Sequence, residues 1–127
     1  MLESDEDDPL TRRVIGAAIE VHREMGPGLL ESVYQRCIER ELNRQGMSFI
    51  AQARLPLIYK GEELSDEFVI DLHFPGQLVV ELKAVEKLLP IHAAQLLTYL
   101  RLSKTRVGLL LNFNVHLLKD GIKRMVI

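Results

Sequence analysis

The chain has 127 residues, of which 47% are hydrophobic and 27% charged, with a formal net charge of −2. That is the size and balance of one globular domain with a single core. No apolar run reaches the length of a membrane span, no signal-peptide pattern marks the start, and the single cysteine, Cys37, excludes an intrachain disulfide; the cytoplasm is the expected compartment.

Charge is unevenly spread. Glu3, Asp5, Glu6, Asp7 and Asp8 crowd the first eight residues, and the remainder is mildly basic. Residues 1–9 are expected to form an acidic, disordered tail, and 10–127 a single domain. So mild a positive charge does not announce a tight nucleic-acid binder, and it does not exclude one that makes few phosphate contacts.

Leu10, Val14, Ala17, Ala18, Val21 and Met25 recur at helical spacing and predict a helix over about 10–25, ended by Gly26-Pro27-Gly28. A second helix carries Leu30, Val33, Tyr34, Cys37, Ile38 and Leu42 on one face and closes at Gly46; Cys37 reads as a small core residue. Strands follow over Phe49–Tyr59 and Glu63–Phe74, joined at Lys60-Gly61, and then over Leu78–Val85 after a Pro75-Gly76-Gln77 turn. Pro90 suits a helix start, with a helix running to Lys104. Arg106–Phe113 reads as a buried strand, and Lys119-Asp120-Gly121 turns into a last strand ending at Ile127. The order ααβββαββ predicts an α/β fold, a three-layer sandwich around a mixed sheet.

Within this frame two charged residues stand on a strand that is otherwise apolar. Strand alternation puts Glu81 and Lys83 on one face of Leu78-Val79-Val80-Glu81-Leu82-Lys83-Ala84. On the preceding strand Phe68, Ile70, Leu72 and Phe74 share one face, and Asp71 lies on the other with Val69 and His73. If Phe74 pairs with Leu78, then Leu72 meets Val80 and Asp71 meets Glu81. Facing carboxylates repel, and Lys83 offers one charge against two. A hard divalent ion held by oxygen ligands, Mg²⁺ or Mn²⁺, would resolve the conflict. A buried Asp–Lys–Glu ion cluster without chemistry is the competing reading of the same residues.

In order and in residues the chain resembles the PD-(D/E)xK phosphodiesterase superfamily. More narrowly, Gly28-Leu29-Leu30-Glu31-Ser32-Val33-Tyr34 is similar to the motif of the GxxExxY protein family, small prokaryotic proteins placed in that superfamily. The resemblance covers nearly everything after the acidic segment. It includes Val21-His22, Asp71, Glu81-Leu82-Lys83-Ala84, Gln95-Leu96-Leu97-Thr98-Tyr99-Leu100 and Gly108 to Phe113, with Asn114 where the family is expected to have glycine.

The resemblance implies a restriction-endonuclease-like αβββαβ core preceded by an extra N-terminal helix. It further implies Asp71, Glu81 and the Leu82 backbone carbonyl as metal ligands, and Lys83 as catalytic, with Glu31 and Gln95 completing the site and Tyr99 one turn on. The implied activity is a Mg²⁺- or Mn²⁺-dependent nuclease acting on nucleic acid, away from membranes, with a homodimer left open. Two rivals stand beside it: a non-catalytic binding module on the same fold, and a hydrolase of small nucleotides.

Several of these residues also have plain structural roles. Glu31 suits the first turn of a helix without any metal, because the helix dipole favours a carboxylate there. Gln95 and Tyr99 could equally cap a polar edge of the core. His22 and Tyr34 are expected to pack the first two helices, with a hydrogen bond for each polar end. His73 at its strand end is expected to be structural, His92 solvated, and Arg101, Lys104 and Arg106 a wet surface.

Overall fold

The computed structural model describes residues 8–127, leaving aside the side chains of residues 65–67. The acidic segment expected as a tail lies, as far as residue 7, outside the described residues. Helix α1 spans Pro9–Met25 and starts at the expected place for a physical reason: the Asp8 carboxylate accepts from the Leu10 N–H, and Pro9 occupies the first turn. Helix α2 spans Glu31–Arg44. Five strands and a third helix follow: β1 Ile50–Tyr59, β2 Glu62–Phe74, β3 Leu78–Lys83, α3 Pro90–Ser103, β4 Val107–Asn112 and β5 Ile122–Val126. The turn expected at Lys119-Asp120-Gly121 is a single 3₁₀ turn over Leu118–Gly121.

The strands form one sheet in the order β1-β2-β3-β4-β5, a restriction-endonuclease-like αβββαβ core preceded by an extra helix. β1 and β2 run antiparallel around Lys60-Gly61, both at positive φ, which suits the tight hairpin turn whose twist matches its strands. Their register slips between Pro56 and Leu57. Proline has no N–H for the ladder, and β1 is an edge strand, the position that tolerates it. β2 and β3 are antiparallel, with Leu72 opposite Val80, His73 opposite Val79 and Phe74 opposite Leu78, as the sequence predicts.

Contacts group the described chain into two compact units. One holds α1, α2, residues 82–88 and residues 111–123. Its core is built on Tyr34, whose ring stacks on Phe113 with centroids 4.5 Å apart, and on Val14, Ala17, Ile38 and Leu42, all fully buried. The Tyr34 hydroxyl donates to the Gly26 carbonyl and accepts from the Leu29 N–H, while His22 bonds the Val115 carbonyl at 2.8 Å. Both polar ends are satisfied, as expected of a packing tyrosine and histidine. Cys37 is a correction: it is half-buried and lines a groove between α1 and α2 rather than the core, because its position on α2 falls at the margin of the stripe carried by Tyr34, Ile38 and Leu42.

The other unit holds residues 49–81, 89–110 and 124–127. Ile70, Leu72, Leu78 and Val80 are fully buried, each stabilising the fold by about 1.5–3 kcal/mol. Leu96 of α3 lies so close to Gly108 of β4 that an added Cβ would sit 2.9 Å from it; glycine is what lets helix and strand meet there. Among the described residues no helix is long and apolar enough to cross a membrane.

Candidate functional site

The candidate site centres on the pairing of β2 with β3. The register that places Leu72 opposite Val80 brings Asp71 beside Glu81, and the Asp71 backbone N–H donates to Glu81 Oε2 at 2.9 Å. Glu81 is only 4% exposed, yet it lies on a strand whose other residues from Leu78 to Leu82 are fully buried and apolar. A buried carboxylate is tolerated only when donors satisfy it, and a bond from N–H to an ionised oxygen is among the stronger ones. A second neutral donor reaches the pair from β1: Gln52 Nε2 donates to Asp71 Oδ1 at 3.3 Å. Backbone and amide donors thus share a burden that the sequence assigns wholly to a cation.

Tyr99 registers the electrostatics of this place. Burial pushes its hydroxyl pKa up, the negative charges of Glu81 and then Asp71 push it further, and the bond from Gln95 opposes them. Gln95 Nε2 donates to Tyr99 Oη at 3.3 Å, and the Tyr99 ring meets Phe68 edge-on with centroids 5.8 Å apart. The expected pairing of Gln95 and Tyr99 four residues apart on α3 is therefore real, and Tyr99 remains a neutral hydroxyl near two carboxylates. His73, on the same face of β2 as Asp71, has its pKa lowered by burial, and its Nε2 is buried without a hydrogen-bond partner.

The other candidates are placed by a different part of the chain. Leu82 is fully buried, and Lys83 ends β3, half-buried. The Lys83 carbonyl accepts from the Phe113 N–H at 2.9 Å. Just beyond it, Asn112 clamps Val85 from both sides: Oδ1 accepts from the Val85 N–H at 3.0 Å, and Nδ2 donates to the Val85 carbonyl at 2.9 Å. Asn112 is 2% exposed. Glu31 is the first residue of α2 and is exposed. Among the described residues no three His, Cys, Asp or Glu side chains converge, so the cluster around Asp71 contains two carboxylates. Two concavities among the described residues, of about 320 and 520 Å³, are lined by residues other than Asp71 and Glu81.

Of the remaining sequence candidates, His92 makes a structural bond. His92 Nδ1 accepts from the Leu89 N–H at 2.9 Å and closes the start of α3, where the sequence predicts a solvated ring. Arg101 and Arg106 are exposed, and Lys104 ends α3 in a left-handed conformation.

The family model of the PD-(D/E)XK nuclease superfamily matches residues 8–125. The chain belongs to that superfamily. No curated protein and no solved structure matches it. In a PD-(D/E)XK chain the triplet Glu81-Leu82-Lys83 has the signature's spacing, with Asp71 on the neighbouring strand. Sequence reasoning missed two residues of this PD-(D/E)XK protein. Gln52 carried no signal, being one glutamine in an alternating strand. Asn112 did carry one, a lone amide at the end of a run of buried leucines.

Proposed function

We propose that this protein is a Mg²⁺- or Mn²⁺-dependent nuclease that hydrolyses phosphodiester bonds in nucleic acid. Within its superfamily, the Gly28-to-Tyr34 motif favours the GxxExxY family. The observation that carries the activity is the juxtaposition of Asp71 with Glu81, hydrogen-bonded across adjacent strands at 2.9 Å on a strand that also bears Lys83.

The donor set fits a hard divalent ion. Asp71 and Glu81 are carboxylates, with the Leu82 carbonyl between Glu81 and Lys83, and among the described residues neither cysteine nor a histidine cluster competes for a softer metal. Asp71, Glu81 and the Leu82 carbonyl would hold the ion. When bound, it supplies Lewis-acid polarisation of a phosphoryl oxygen and a more acidic water. Lys83 would orient the attacking water and neutralise charge developing on the phosphoryl oxygens. Glu31 would support the site from the start of α2. Gln95, through its bond to Tyr99, would hold a neutral hydroxyl beside the carboxylates.

Divalent-metal titration with single-stranded DNA, duplex DNA and RNA tests this reading, with Lys83→Ala alongside. Metal-dependent cleavage of at least one substrate by the wild type alone is expected. A protein that binds metal but leaves every substrate intact would instead be a binding module on a nuclease fold.

A further inference from the structure

The strain on β1 has no local cause. Three residues other than glycine have positive φ among the described residues: Gln52 at 51°, Lys60 at 50° and Lys104 at 56°. Lys60 turns the β1–β2 hairpin and Lys104 ends α3, so both reverse or terminate an element. Gln52 does neither. It sits inside β1 with regular pairing on each side, Ala51 opposite Leu72 and Ala53 opposite Ile70. A side chain other than glycine is rarely found there at positive φ, and such outliers persist where surrounding structure holds them.

What the residue does make is the bond from Nε2 to Asp71 Oδ1 at 3.3 Å. Asp71 in turn donates its backbone N–H to Glu81 Oε2. A line of donors therefore runs across three neighbouring strands, from the Gln52 amide to one carboxylate and from that residue's backbone to the next. We propose that Gln52 is a positioning residue that holds the Asp71 carboxylate in the orientation needed to bind a divalent cation, an inference resting on the metal-site reading above. An amide suits that task because it donates without charge. A lysine or arginine at this position would fix the carboxylate equally well but would repel the cation.

The test measures Mn²⁺ binding by calorimetry and, separately, the melting temperature without metal. Gln52→Gly removes both the donor and the conflict between side chain and backbone. Its Mn²⁺ affinity is expected to fall about 10–100-fold, the usual consequence of losing a group that orients a ligand. Its melting temperature without metal is expected to equal or exceed that of the wild type. Gln52→Met keeps the length of the side chain without the donor and should show the same loss of affinity. Wild-type affinity in either variant overturns the proposal. So does a loss of affinity matched by a lower melting temperature without metal in both variants, since that would make Gln52 merely structural. A wild-type protein that binds no Mn²⁺ sinks the metal-site reading and this inference with it, whereas unaltered variants beside a binding wild type sink this inference alone.

Discussion

The backbone amide of Asp71 donates to the side chain of Glu81, so one candidate ligand helps to hold the other. That bond joins the Asp71 backbone to the Glu81 carboxylate, so it survives replacement of the Asp71 side chain. Asp71→Ala should therefore fold, with the Glu81 carboxylate still satisfied, and should lose metal binding. Wild-type protein should gain up to about 2.7 kcal/mol of stability at a metal concentration 100 times the dissociation constant. Thermal melts with and without millimolar Mn²⁺ check this: a shift in the wild type and none in Asp71→Ala is the expected result.

Lys83 is separable from the ion by the same logic. Lys83→Ala removes an ammonium rather than an oxygen donor. Metal affinity should be retained while cleavage falls by about 10²–10³-fold, the scale on which one transition-state contact is usually felt. Calorimetry beside single-turnover cleavage separates the two effects. A variant that cleaves at the wild-type rate would remove Lys83 from the chemistry.

Asn112→Ala should destabilise the fold by about 1–3 kcal/mol, because it strips partners from both the N–H and the carbonyl of Val85 in a partly buried setting. The urea midpoint should fall with the slope unchanged. Val85 lies two residues beyond Lys83, so cleavage should fall as well, even in conditions where the variant is fully folded.

Gly121→Ala tests the close packing of the same region. A Cβ at Gly121 would collide with the Asn112 backbone carbonyl, and backbone cannot move aside as a flexible side chain does. A loss of about 1–3 kcal/mol is expected, typical of overpacking. A melting temperature equal to the wild type would show that the two segments are not so close.

The path from sequence to site succeeds where local rules suffice. Alternation on β2 and β3, with Pro75-Gly76-Gln77 between them, determines the register of Leu72 with Val80 and so brings Asp71 to Glu81. Nothing comparable marks Gln52. Its left-handed backbone runs against the preference of its own residue type, and only Asp71 on the next strand gives that conformation a use. Asn112 is similar, since a side chain that bonds the backbone 27 positions away leaves no periodic trace. Cys37 shows the limit from the other direction: helical spacing places it near the apolar stripe, but whether a margin residue is covered depends on what packs there.

The Tyr34 hydroxyl bonds both Gly26 and Leu29, and its ring lies flat on Phe113. Gly26-Pro27-Gly28 would be the natural hinge of this chain by composition, yet it is stapled at each end by one aromatic residue whose own ring is immobilised. Amides around the staple should exchange with solvent slowly, and a swing of α2 would first have to unstack Tyr34. Glu31, three residues before that anchor, is therefore carried on a fixed mount rather than a moving arm.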